Sequence, residues 1–216
     1  MKRRGYTLFL LGALGLLSLG SIPALAQQQV PVTANIVVDN YFLICYGSLT
    51  CLPGGPWSGP HVNTPFSFSF SISPGDAIYV VAWSDDLVFQ GFIGQFNVGG
   101  NIIKTGDPQF SVCATNDDRD TAQQAPAVAD VQNKIQACNT NNAWTAPAVG
   151  GARDAYIHNP HNPSAWLIPE SNQWGAIPAN ANWIWYESGQ CPDTVDGQHS
   201  PFIPGCNHRE YLIFRL

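Results

Sequence analysis

Charge is scarce in this 216-residue sequence. Only 11% of its residues are Asp, Glu, Lys or Arg, and the 9 basic residues are outnumbered by 15 acidic ones. An acidic, lysine-poor chain is a poor match to a phosphate backbone, which argues against nucleic acid as a partner. Glutamate is confined to Glu170, Glu187 and Glu210, each alone in sequence. A carboxylate pair spaced for glycosidic-bond cleavage, roughly 5–10 Å apart, would therefore have to be assembled by folding. No Gly-x-Ser-x-Gly elbow is present to seat a nucleophilic serine. Beyond the N-terminal region no apolar run is long enough to act as a membrane span, and there is no internal repeat. These absences predict a chain without a catalytic site.

The N-terminal region has the layout of an export signal. Lys2, Arg3 and Arg4 precede an uncharged apolar stretch from Thr7 through Leu17, and Ala24-Leu25-Ala26 supplies a small-x-small cleavage site. The apolar core is short of the roughly 20 residues a membrane-spanning helix needs. Residues 1–26 are expected to be a cleaved signal peptide, and residues 27–216 a single domain that is secreted, periplasmic or at the cell surface. Loss of Lys2, Arg3 and Arg4 leaves six basic against 15 acidic residues, a formal charge of −9.

All six cysteines, Cys45, Cys51, Cys113, Cys138, Cys191 and Cys206, lie beyond the cleavage site. An even number in an exported chain favours disulfides over free thiols or zinc. Six cysteines permit 15 connectivities. Order along the chain suggests neighbour pairing, Cys45–Cys51, Cys113–Cys138 and Cys191–Cys206, with each pair closing a segment rich in Gly, Pro, Asn or Asp.

Hydrophobic patterning points to β structure. Val30–Val38 and Tyr41–Tyr46 read as strands. Residues 66–72, Phe-Ser-Phe-Ser-Phe-Ser-Ile, alternate strictly, placing the rings on one face and the serines on the other. A Pro74-Gly75-Asp76 turn leads into an apolar strand from Ala77 to Trp83, and Val88–Phe96 follows the Ser84-Asp85-Asp86 turn. Gln123–Cys138 is the one helical pattern, with Val128, Val131 and Ile135 spaced for one face. Residues 139–180 are rich in Pro and Asn with little periodicity. Trp144, Tyr156, Trp166 and Trp174 argue that this stretch is ordered, because disordered segments are poor in aromatics. Ala181–Tyr186 and Glu210–Leu216 read as the closing strands.

Several of these segments carry a resemblance. Val38-Asp39-Asn40-Tyr41-Phe42, the Pro74–Trp83 strand, Ser164-Ala165-Trp166, Trp174-Gly175, Ile177-Pro178-Ala179, Trp183-Ile184-Trp185 and the closing Phe214-Arg215 together resemble galactose-binding-like jelly-roll domains. The resemblance implies an all-β jelly-roll sandwich with one short helix and long disulfide-tied loops. In many relatives such a domain is an accessory module of glycan-active enzymes. The chain departs from the pattern in its six cysteines and in Leu43-Ile44-Cys45-Tyr46-Gly47, where the usual first hairpin differs.

Sugar recognition combines an aromatic face, which covers the apolar C–H face of a pyranose, with planar amides or carboxylates for its hydroxyl rim. Trp57, in a Gly/Pro-rich loop, is the leading candidate platform, with Trp144 and Trp174 as further loop aromatics and Asp85 and Asp86 as hydroxyl contacts. Trp83, Trp183 and Trp185 lie in strand patterns and read as core. Asn116, Asp117, Asp118 and Asp120 offer hard oxygen ligands in a short span and suggest a structural calcium, although the spacing is not that of an EF-hand and Arg119 interrupts it. His158 and His161 are separated by Pro160 and followed by Pro163, which bars a helix that would present both to one metal. Cys191, His199, Cys206 and His208 match no common zinc spacing. The sequence thus predicts a secreted, non-catalytic binding module for carbohydrate, its partner a glycan or a cell-surface or matrix component. The alternative is a structural surface or matrix protein that self-associates through β-strand edges, with the aromatic C-terminal strand as the candidate edge.

Overall fold

A computed structural model of the chain describes residues 28–55, 65–84, 90–118, 125–153, 174–187, 202 and 210–216, the side chain of Asp118 excepted. Eleven strands and one helix lie among them: β1 Val30–Asp39, β2 Tyr41–Tyr46, β3 Thr50–Pro53, β4 Phe66–Ile72, β5 Ile78–Trp83, β6 Gly91–Val98, β7 Asn101–Lys104, β8 Ser111–Asp118, α1 Val128–Thr140, β9 Ala148–Ala152, β10 Asn182–Trp185 and β11 Glu210–Arg215. They form two antiparallel sheets. The first runs β4-β1-β6-β10-β9, with β7 also paired to β6, and the second runs β3-β2-β5-β11-β8. The all-β sandwich expected from the patterning is what the chain adopts.

The chain crosses between sheets at Asn40. β1 belongs to the first sheet and β2 to the second, with only this residue between them and a cis peptide joining it to Asp39. Period-2 alternation then does the sorting. Ala34 stands opposite Phe68 and Phe96, and Val32 opposite Phe70 and Val98, so each row turns apolar side chains toward the second sheet. Phe42 from β2 meets this face edge-on, with ring centroids 5.4 Å from Phe66 and 5.9 Å from Phe68. The serines of β4 are exposed, as the alternation requires.

The second sheet is apolar on both faces, which is why β5 is buried at all six positions. Val80 and Ala82 face the core between the sheets; Tyr79, Val81 and Trp83 face outward, where α1 covers them. The helix contributes Val131, Ile135 and Cys138, one stripe at i, i+4 and i+7. It starts later than the periodicity predicts. Ala127, directly after Pro126, is extended, and Val128 is 45% exposed, off the buried stripe. Cys113–Cys138 ties the helix to β8, and Cys45–Cys51 joins directly opposed residues of the β2–β3 hairpin. Both neighbour pairings are therefore present; Cys191 and Cys206 lie outside the described residues, as does the region read as a signal peptide.

Two expectations need correction. β11 is no edge: it pairs with β5 on one side and β8 on the other. The stretch after the helix is also not all connection. Thr145 exchanges both backbone hydrogen bonds with Val112, at 2.8 and 2.9 Å, and β9 closes the first sheet beside β10.

Candidate functional site

Where α1 ends, a group of polar and aromatic side chains collects on the outer face of the second sheet. Register places Tyr79, Arg215 and Ser111 side by side across β5, β11 and β8. Phe214 points into the core, so strand alternation turns Arg215 outward. Asn139 comes from the last turn of α1. Beyond it Asn142 turns the chain with a positive φ of 49°, and the Thr145–Val112 bridge fixes the returning segment. Trp144, one residue before that bridge, is thereby laid over the row.

Hydrogen bonds set the geometry of the group. The Asn139 amide oxygen accepts from the Trp144 indole N–H at 3.1 Å and from Arg215 Nη1 at 3.4 Å, while its Nδ2 donates to the Tyr79 hydroxyl at 3.3 Å. Arg215 Nε donates to Ser111 Oγ at 3.3 Å, and its guanidinium carbon sits 4.2 Å from the centroid of the Trp144 ring. Trp144 is half-buried and Tyr79 lies 6.1 Å from it, centroid to centroid, at an interplanar angle of 30°. An aromatic ring, an oriented amide and a guanidinium thus share one partly exposed surface.

Arg215 stands apart from the other described basic residues. Lys104 pairs with Asp107 at 2.6 Å and Lys134 with Asp117 at 2.7 Å. Arg153 is buried and donates to the backbone carbonyls of Trp174 and Ile177. Among the described residues Arg215 has no carboxylate partner. Its guanidinium is held instead by Ser111, Asn139 and the Trp144 ring.

The other sequence candidates fare differently. Trp57, Asp85, Asp86 and Asp120 lie outside the described residues, as do His158 and His161. Trp174 is corrected: it is fully buried, packs edge-on against Trp183 at 6.2 Å, and has no face to offer a sugar. Trp83, Trp183 and Trp185 are core, as their strand positions imply. Gly91 is part of the reason for Trp183, whose ring occupies the space a Cβ on that glycine would need.

The proposed calcium ligands are largely strand. Asn116 and Asp117 belong to β8, the Asn116 N–H is bound by Glu210 Oε2 at 3.2 Å, and the Asp117 carboxylate is already neutralised by Lys134 from α1. Among the described residues no three His, Cys, Asp or Glu side chains gather to hold a metal. No helix among them is long and apolar enough to cross a membrane.

Two open clefts occupy the end of the sandwich where the β4–β5 and β6–β7 turns lie. One, of about 490 Å³, is lined by Gln28, Gln29, Pro31, Pro74, Val98 and Asn101. Its neighbour, of about 270 Å³, shares Gln29 and adds Tyr46, Ser71 and Asp76. Asp76 is committed to the turn, accepting the Ser73 N–H at 2.9 Å, and the Tyr46 ring is stacked on Phe70 with centroids 4.0 Å apart.

Asn139, Arg215, Ser111 and Tyr79 are the site residues that sequence reasoning missed. Alternation in β11 was the available signal for Arg215, since a charged residue after buried Phe214 has to face outward. Nothing local marks the other three as its neighbours. No family model, curated protein or solved structure matches the chain.

Proposed function

We propose that this chain is a secreted, non-catalytic module that binds carbohydrate, built on a jelly-roll of the galactose-binding-like kind. The observation that carries this reading is the convergence of Trp144, Asn139 and Arg215 on one surface. The indole face suits the apolar C–H face of a pyranose. The amide and guanidinium supply directional contacts to its hydroxyls or to a sugar carboxylate. Secretion is supported by the N-terminal residue pattern and by two disulfides that join core elements. The decisive experiment is a glycan array followed by calorimetry on the strongest binder, with wild type and Trp144→Ala compared. Loss of binding in a folded Trp144→Ala protein supports the reading. No binding by wild type to any glycan, or undiminished binding by the variant, removes it.

A further inference from the structure

We infer that two copies of this chain pair through β4, edge to edge, to form a symmetric dimer. β4 is the end strand of the first sheet, and all seven of its residues pair with β1. Among the described residues the backbone of Ser67–Ile72 bonds to no other strand. Edge strands normally carry a lysine, a proline or a bulge that blocks further pairing. This strand has none of these, and its register with β1 runs unbroken from Phe66 to Ile72. It is also uncharged, in a chain whose acidic excess would otherwise hold copies apart. The next charge along the chain, Asp76, lies beyond the strand in the turn.

The alternation of β4 makes it complementary to itself. In an antiparallel pair, residues directly opposite share a face of the sheet, so serine must oppose serine and ring must oppose ring. A two-fold axis through Ser69, the middle of the strand, meets this condition over the full length. Phe68 then lies opposite the partner's Phe70, Ser67 opposite the partner's Ser71, and Phe66 opposite the partner's Ile72. Phe66, Phe68 and Phe70 are only partly buried within one copy, so pairing covers apolar area that one copy leaves in water. The contact is a single strand, which places it at the weak, reversible end of protein association.

Such an axis stands perpendicular to the first sheet and does not invert it. In both copies the second sheet, with α1 and Trp144 on its outer side, then faces the same way. The dimer presents two Trp144 surfaces to one plane, as a module that holds an immobilised glycan by two points would require. That consequence rests on the carbohydrate reading; the dimer itself does not.

Sedimentation over a range of protein concentrations tests the pairing. Wild type is expected to move toward twice the monomer mass as concentration rises. Ser69→Lys, at an exposed serine, is expected to remain monomeric with its melting temperature unchanged. Ser69→Cys should cross-link to a covalent dimer on mild oxidation, which decides the matter independently if the lysine variant folds poorly. A wild type that stays monomeric throughout, a Ser69→Lys protein that still dimerises, or a Ser69→Cys protein that does not cross-link overturns the inference. Trp144→Ala is expected to dimerise normally, so failure of glycan binding leaves the mass measurement intact. If both proposals hold, Ser69→Lys weakens binding to a glycan-coated surface by about 10²-fold and leaves affinity for a soluble monosaccharide unchanged.

Discussion

The guanidinium of Arg215 lies 4.2 Å from the centre of the Trp144 ring, and both side chains are bound to the same oxygen of Asn139. The end of α1 and the segment after it meet β11 at this point, Asn139 and Arg215 being 76 residues apart in sequence. The Trp144 indole therefore has a defined orientation on a partly exposed surface.

Exposure separates Trp144 from Trp174 in a way mutation can read. Trp174→Ala empties a fully buried site and is expected to cost about 3–5 kcal/mol. Trp144→Ala removes a half-buried ring and one cation–π contact, for about 1–2 kcal/mol. Thermal melts should rank the two in that order, and glycan binding should rank them the other way: absent in Trp144→Ala and retained in whatever fraction of Trp174→Ala remains folded. A Trp144→Ala protein as unstable as Trp174→Ala would make the ring a core element.

Arg215→Gln tests the polar half of the same surface. It removes the charge and the stacking plane while keeping an amide near Ser111 and Asn139. Binding of acidic sugars is expected to fall about tenfold or more, since a hydrogen bond to a charged group contributes about 1.5–3 kcal/mol. Neutral sugars should lose less. Equal loss for both classes, measured by calorimetry, would show that Arg215 acts only by holding Trp144.

Acid should loosen the β7 corner through Asp107. Partial burial pushes its carboxyl up, but the hydrogen bonds from the Lys104 side chain and backbone N–H, together with the Lys104 charge, outweigh this and leave it below the ordinary value of 3.8. A carboxyl depressed in the folded state stabilises fully above its unfolded value, and the contribution is lost as pH falls through the folded value. Melting curves of wild type and Asp107→Asn should therefore differ by about 0.5–1 kcal/mol near neutrality, as suits a partly exposed pair, and converge only as pH falls below 3.8 and through the depressed folded value. A gap that persists at low pH would assign the difference to lost hydrogen bonding alone.

Strands with a clean period were legible and those held by neighbours were not. Residues 66–72 alternate without exception, and Tyr41–Tyr46 and Glu210–Arg215 are dense in β-branched and aromatic residues, so each appeared where expected. β8 was read at its far end as an acidic loop. Its Thr-Asn-Asp-Asp tail is a strand only because β11 holds it at both ends, Glu210 pairing with Asp118 and Leu212 with Ala114 just before it. β9, Ala-Val-Gly-Gly-Ala, owes its extension to β10 in the same way.

Sheet position was invisible in sequence order. β11 is aromatic and terminal, which suggested an edge, yet the topology inserts it between β5 and β8. The Trp144 surface was half legible: an aromatic in a polar loop was a candidate, but Trp174 had the same local credentials and went into the core. What separates them is the tertiary path, since one follows a helix laid on a sheet and the other packs against Trp183.

The two described disulfides should contribute unequally, because they close loops of different length. Cys45–Cys51 spans 6 residues of a hairpin that the β2–β3 ladder already closes. Cys113–Cys138 spans 25 and is the covalent link between α1 and the second sheet. Loop-closure entropy assigns about 2 kcal/mol to the first and about 3–4 kcal/mol to the second. The helix has further attachments: Val131 and Ile135 in the outer apolar cluster, the Lys134–Asp117 ion pair, and the bond from Gln132 to the Leu49 carbonyl. The Cys113→Ser/Cys138→Ser double variant is therefore expected to fold with α1 in place but to unfold at lower denaturant than Cys45→Ser/Cys51→Ser. Because Asn139 adjoins Cys138, glycan affinity should also fall in the first variant and not in the second. Chemical denaturation followed by circular dichroism, with calorimetry at the same temperature, measures both. Equal midpoints for the two variants would mean that the Cys113–Cys138 bridge adds no more stability than the hairpin bridge, and unchanged glycan affinity in the first variant would mean that the Trp144 surface does not depend on it.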